Sequence, residues 1–166
     1  MYDSSKLPGL DIETLMRRAI ALAQSARDKG NHPFGALLCD LQGTIMLEAE
    51  NTVATQNDVT CHAERNLISA AWGKFSKPDL ARMVLVTSTE PCAMCPPATF
   101  WAGVRHVVFG LPEAAVCRMC TSDANPTPSV LNLPCEVVFA ACKGHPTLVM
   151  GPVLEDEARV PHAGFW

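Results

Sequence analysis

The stretch "MVLVTSTEPCAMCPPATFWAGVRHVVFG", Met83 to Gly110, decides the fold. Its first residues, "MVLVT", form a continuous apolar run rich in β-branched side chains. That is the pattern of a strand buried on both faces. "HVVF" repeats the pattern after Gly103. Between the two runs, Cys95 to Ala102 has the length and composition of a short helix. A strand, a helix and a strand in that order make parallel neighbours and place the helix on a sheet face.

Upstream, Asp11 is placed to cap a helix whose apolar positions are Ile12, Leu15, Met16, Ala19, Ile20 and Ala23, with an end near Lys29-Gly30. "PFGALLCD" (33–40) reads as a buried strand, "DLQGT" (40–44) as a hairpin turn, and Ile45, Leu47 and Ala49 as the inward face of a half-buried partner strand. The polar segment "NTVATQNDVT" (51–60) reads as a loop, and His62 to Trp72 as a helix. Residues 111–134 hold four prolines and read as loop, with a short helix at Glu113 to Cys120. "EVVFAA" (136–141) reads as a last strand, and the tail as a short acidic helix with an aromatic end. The expected fold is α/β: a single domain over 1–166, three layers, with a mixed five-stranded sheet between helices. In such sheets ligands bind beyond the carboxyl ends of the parallel strands.

Composition narrows the function. A chain of 166 residues with 48% hydrophobic content is one compact domain. No apolar run approaches the roughly 20 residues that span a membrane, so no membrane partner is expected. The N-terminal residues have no apolar stretch of the signal-peptide kind, and a cytoplasmic location is the expectation. The net charge is -4, and Arg17-Arg18 is the nearest thing to a basic cluster. A phosphate-binding surface needs more than that, so a nucleic-acid partner is not expected. Eight cysteines in such a chain point to thiols and metal ligands rather than a disulfide framework. Cys39, Cys135 and Cys142 sit in apolar runs and read as core.

Two clusters fall at the helix starts that follow strands or loops. "CHAE" opens one helix and "PCAMC" opens another. Cys92 and Cys95 are three apart, so an early helical turn aims both sulfurs one way. His62 offers a third ligand. Two thiolates and an imidazole suit Zn²⁺, and three protein ligands leave the fourth position that a catalytic site needs. Glu64, two residues beyond the histidine, can stand beside the metal as a proton acceptor without binding it. H-x-E followed by P-C-x-x-C is the signature of zinc deaminases that act on bases. A rival pairing exists. Cys92-x-x-Cys95 with Cys117-x-x-Cys120 has the spacing of a four-cysteine structural zinc module, in which His62 and Glu64 are incidental.

"PFGALL", "AENTVATQNDVTCHAERN" and "TSTEPCAMC" with "FWAGVRHVVFG" resemble the cytidine/deoxycytidylate deaminase superfamily, and in particular its guanine-deaminase-like and tRNA-adenosine-deaminase-like branch. The likeness runs over roughly residues 11 to 111. It implies a Zn²⁺-dependent hydrolase that deaminates a nucleobase or nucleoside: a guanine-like purine first, then cytosine-type bases and aminated nucleosides. A tRNA adenosine deaminase is the alternative, and it needs a basic RNA-binding surface that 13 Lys+Arg against 17 Asp+Glu do not promise. By the same resemblance His62, Cys92 and Cys95 match the zinc ligands and Glu64 the proton shuttle. Asn51 and the backbone of Ala63 match groups that hold the base, Phe34 and Trp101 match pocket walls, and Phe165 and Trp166 offer a lid. A homodimer is implied as well. Two features depart from the pattern. Pro96-Pro97 follows the second cysteine, where the family has small or flexible residues. Beyond Gly110 the motif is lost, and Glu113 and Asp123 are equal candidates for the acidic residue that guanine deaminases use.

Overall fold

The computed structural model describes residues 3–121, 126 and 131–166, so Asp123 lies outside the described residues. Helix α1 (Ile12–Asp28) starts where the sequence places its cap: the Asp11 carboxylate accepts the Thr14 backbone N–H at 3.1 Å. Its buried face runs Ile12, Leu15, Met16, Ala19, Leu22, Ala23 and Ala26. Strands β1 (Gly35–Asp40), β2 (Ile45–Glu50), β3 (Met83–Thr89), β4 (His106–Leu111) and β5 (Leu148–Met150) form one sheet in the order β2-β1-β3-β4-β5. β1 is antiparallel to both neighbours, whereas β3, β4 and β5 run parallel. The predicted mixed five-stranded sheet is therefore present.

Two cores cover its faces. On one side α1 packs on Leu37, Cys39, Val84, Val86 and Val108. On the other, α3 (Ala63–Trp72), α5 (Cys95–Ala102) and α7 (Cys135–Ala141) pack on Ala36, Leu38, Leu85 and Val107. Gly35 sets how closely α1 approaches: a Cβ there would lie 2.5 Å from Ala19 O and Ala23 N. Only glycine leaves that space. β2 is an edge strand. Leu47 and Ala49 are half-buried as expected, but Ile45 is exposed. Glu48 and Glu50 are held there by Arg18 at 2.6 Å and Lys29 at 2.7 Å, and charge on an edge discourages strand addition.

The expected strand "EVVFAA" is a helix. Pro134 precedes it with φ -55, and Glu136 occupies the first turn, where a carboxylate complements the helix dipole. Its buried side chains, Cys135 and Phe139, are four residues apart, which is a helical and not a strand period. Val137 faces solvent. The fifth strand is instead the three-residue β5, too short to stand out by alternation. Short helices α2 (Val53–Gln56) and α4 (Lys77–Leu80) also occupy segments without a periodic signal. Helices α6 (Glu113–Cys120) and α8 (Glu155–Arg159) stand where the sequence reading puts them.

Candidate active site

The antiparallel pairing of β1 with β3 sets Ala36 opposite Thr87, so the start of β1 lies beside the carboxyl end of β3. From that end the chain turns through Glu90 and Cys92 into α5. His62 stands at the N-terminal boundary of α3, in extended backbone, and makes no capping bond with its side chain. Its imidazole is thereby free to point at α5. The Nδ1 of His62 lies 3.4 Å from Cys92 Sγ and 3.9 Å from Cys95 Sγ, and the two sulfurs are 4.0 Å apart. Zn–S bonds of about 2.3 Å and Zn–N bonds of about 2.05 Å at tetrahedral angles would place such atoms about 3.8 Å (S–S) and about 3.6 Å (S–N) apart. The trio therefore fits zinc in donor type and in spacing. It is the one group of three or more possible metal ligands among the described residues.

The electrostatics agree. Cys92 is pulled down to about 4, first by the hydrogen bond from Cys95 and then by His62. Cys95 is pushed up by that same shared proton and by burial. His62 is raised, chiefly by its bond to Cys92. A thiolate and a thiol sharing one proton form a site that a cation would complete.

Glu64, on the first turn of α3, points into the same space. Its Oε2 is 3.8 Å from Cys95 Sγ, and its Oε1 accepts the Thr87 hydroxyl at 3.1 Å. The carboxyl is buried, and desolvation raises its pKa above the usual carboxylate range. A cavity of about 250 Å³ opens beside the trio. Phe34, Val116 and Trp166 give it apolar walls, and His32, Glu64, Glu90 and Glu113 give it polar ones. Glu90 spends its carboxylate on the fold: Oε2 accepts the Glu113 N–H at 3.0 Å and Oε1 the Cys135 N–H at 2.8 Å. Glu113 is thus held at the start of α6 with its own carboxyl buried (8% exposed) and without a hydrogen bond among the described residues. Burial first, then the charges at Cys92, Glu90 and Glu64, push it up to about 7.

Residues 10–111 match the cytidine and deoxycytidylate deaminase zinc-binding region. A probable cytosine deaminase of Schizosaccharomyces pombe is 39% identical over 163 residues, which cover 98% of this chain and 96% of that protein. This chain belongs to the cytidine and deoxycytidylate deaminase family. A guanine deaminase of Bacillus subtilis is 39% identical over 98 residues, covering 58% of this chain and 62% of that one. The solved guanine deaminase of Nitrosomonas europaea superposes with a TM-score of 0.73 at 26% identity, over 90% of this chain and 81% of that one. The family and the His/Cys/Cys trio together make this a zinc-dependent hydrolytic deaminase.

Of the remaining expected site residues of this deaminase, the cavity lining holds Phe34 and Trp166 but not Asn51, Ala63, Phe165 or Trp101. Phe165 stands behind Trp166, edge to face at 4.9 Å. Asn51 is buried, its Oδ1 accepting the Val53 N–H at 3.1 Å, while its amide nitrogen has no partner among the described residues. Ala63 is the first residue of α3, so its N–H has no intrahelical partner. Trp101 is a correction. Its indole is 69% exposed and lines a groove with Trp72, away from the cavity. Cys95, Thr99 and Ala102 form the inward face of α5, and a residue two past Thr99 points to the opposite side. The four-cysteine pairing is not found either: Cys117 and Cys120 lie on α6, outside the metal-ligand group. Pro96-Pro97 fits, because it occupies the first turn of α5, where N–H groups have no helical partner.

Residues that sequence reading passed over are His32, Thr87, Glu90 and His162. His32 directly precedes "PFG", and Glu90 directly precedes the P-C-x-x-C motif; proximity to a motif was the available signal. His162 is buried, with Nε2 3.3 Å from Thr89 Oγ1 and Nδ1 accepting the Trp166 indole N–H at 3.3 Å. Desolvation, then Arg27 and Arg159, lower its pKa to about 4. A histidine held neutral in the fold and freely titrating when unfolded destabilises as acid is added. The unfolded chain binds the extra proton between about 6.5 and about 4. His162 is thus expected to remove about 3 kcal/mol of stability as pH falls through that window, with little change above it. Urea unfolding of wild type and His162→Gln from pH 4 to 8 measures this. The variant's stability should slope less steeply below pH 6.5.

Proposed function

We propose that this deaminase acts on a free nucleobase, with a guanine-like aminated purine as its first substrate. The observation that carries the reading is Glu113: a largely buried side chain at the wall of a small pocket shared with His62 and Cys92, its carboxyl without a hydrogen bond among the described residues. A buried polar group is costly unless something bonds it. A base rich in ring and exocyclic N–H groups supplies those bonds. The Asn51 amide nitrogen, without a partner among the described residues, is a donor suited to a ring carbonyl, as is the Ala63 N–H at the start of α3. The apolar walls take the faces of the ring.

In this reading His62, Cys92 and Cys95 hold zinc, which supplies Lewis-acid activation of the attacking water. Glu64 takes one proton from the attacking water and gives it to a ring nitrogen, then takes the second from the new hydroxyl and gives it to the departing amino group. Ammonia leaves and a carbonyl remains. Thr87 fixes the carboxyl's orientation during both transfers. Cytosine is the second reading, supported by the likeness to a probable cytosine deaminase over nearly the whole chain.

Ammonia release from zinc-loaded protein across guanine, adenine, cytosine, isocytosine and their nucleosides tests this. Turnover of guanine above all others supports the first reading, and turnover of cytosine the second. Silence on every free base overturns both. Glu113→Gln and Asn51→Ala should each lower kcat/KM on the accepted base by about 10-fold or more, the loss of one buried polar contact.

The reading includes cytoplasmic base salvage, where reducing conditions keep thiol ligands available. It also includes a homodimer. Trp72 and Trp101 stand 55% and 69% exposed on neighbouring helices, with Ile68 and Ala98 between them. Exposed tryptophan pairs of that kind mark association surfaces. Sedimentation should find a dimer in wild type and monomer in Trp72→Glu/Trp101→Glu; a wild-type monomer at micromolar concentration refutes it.

A further inference from the structure

Two polar side chains in the cavity wall have no hydrogen bond among the described residues, Glu113 and His32. Glu113 already has a part in the proposed chemistry; His32 has none. The other polar wall groups are committed: His62 to the sulfurs, Glu64 to Thr87, and Glu90 to two backbone N–H groups. His32 is also well placed by its neighbours. Asn31 before it is buried, its N–H bonded to Ala26 O at 2.9 Å and its Oδ1 accepting the Thr55 N–H at 3.0 Å. Pro33 after it restricts its backbone, and His32 O accepts the Phe34 N–H at 2.8 Å. The ring packs edge to face on Phe34 at 6.4 Å and on Phe165 at 5.8 Å. Those contacts fix the imidazole and leave both nitrogens unspent. Burial, then the nearby His62, lower its pKa, so at neutral pH it carries one N–H donor and one bare acceptor.

We propose that His32 is a specificity-determining residue that hydrogen-bonds the five-membered ring of a bound purine, an edge that a pyrimidine does not have. The proposal rests on the guanine-like reading of the site. The exocyclic amino group and the ring carbonyl of such a base both sit on its six-membered ring, where the trio, Glu64, Glu113 and Asn51 serve them. N7 and N9 of the other ring are left over, one a bare acceptor and one an N–H donor. A neutral imidazole offers the complement of either. Without it, that nitrogen would be buried with no partner, at the usual cost. With a pyrimidine bound, His32 itself would be left without one, and a site built to bond a polar edge discriminates against a ligand that lacks it.

His32→Leu removes both nitrogens and keeps an apolar side chain. Its KM for guanine should rise about tenfold, the worth of one hydrogen bond, with kcat changed less and zinc content and melting temperature at wild-type values. His32→Gln, which keeps a donor and an acceptor, should recover part of the loss. Competition against guanine turnover by 7-deazaguanine and 9-deazaguanine identifies the contact, since each replaces one ring nitrogen by carbon. Wild type should bind one of the two about tenfold more weakly than the other, and His32→Leu should bind both alike. Should His32→Leu fail to fold, His32→Phe, which suits the aromatic packing, takes its place. A guanine KM equal to wild type in the apolar variant overturns the proposal and leaves the guanine reading standing. So does a wild type that binds both analogues alike, or an apolar variant that still separates them. A wild type that turns over no guanine overturns the guanine reading and this role of His32 with it.

Discussion

Glu64→Gln is expected to keep its zinc and lose about 10²- to 10⁴-fold in kcat, the usual worth of a positioned general acid–base group. The substitution changes one atom of the carboxyl and almost none of its volume. The Thr87 hydroxyl can still bond the remaining oxygen, as it does to Oε1 at 3.1 Å in the native chain. The amide cannot take a proton from the attacking water or carry one to the leaving amine. Glu113 does not replace it, because Glu113 is fixed at the start of α6 through the Glu90 bond to its backbone, across the cavity from α3. Burial raises the pKa of Glu64, so its ionised form costs stability in the fold. A neutral amide relieves that cost, and the melting temperature should be unchanged or higher. Zinc content by mass spectrometry, kcat by ammonia release and a melting curve separate these effects. Full activity with full zinc would remove Glu64 from the chemistry, since among the described residues no other carboxyl makes such a contact with a ligand sulfur.

What could be read from the sequence follows from how local each signal is. The parallel pair β3 and β4 was legible because strands buried on both faces are continuous apolar runs, and α1 because its apolar spacing repeats for four turns. His62, Glu64, Cys92 and Cys95 were legible because metal chemistry fixes residue type and spacing along the chain. The errors came where that locality fails. "EVVFAA" has strand composition, but Pro134 and the four-residue spacing of Cys135 and Phe139 favour a helix once a sheet face is there to cover. Trp101 follows the zinc motif closely, but helical rotation carries it to the outer face. Glu113's place beside the cavity needed geometry: Glu90, 23 positions earlier, holds its backbone N–H. Arg27 and His162 carry no motif at all. Their contacts come from where α1 ends relative to the tail, and only the tertiary fold supplies that.

Cys92→Ser is expected to weaken zinc binding by well over 100-fold, beyond the roughly 10–100-fold cost of disturbing a group that only supports a ligand. Cys92 is the cleaner of the two cysteines to change. It is half-buried at the turn before α5, whereas Cys95 is buried and begins the helix, so Cys95→Ser would also leave a hydroxyl in the core beside Glu64. His62→Ala should release zinc as well, and at little cost to α3, since the imidazole makes no capping bond. Cys117→Ser should keep zinc at the wild-type level, because α6 contributes no ligand to the trio. Zinc binds only the folded trio with any strength, so it adds stability as RT ln(1 + [Zn]/Kd). Wild type and Cys117→Ser should melt higher with zinc than with a chelator, and Cys92→Ser should melt at one temperature under both conditions. Acid should release the metal in every variant that holds it, because thiolates and a neutral imidazole are the binding forms. The reverse pattern, with zinc lost from Cys117→Ser and retained by His62→Ala, would mean that the metal closes a four-cysteine site and that the pocket beside His62 is not where the reaction occurs.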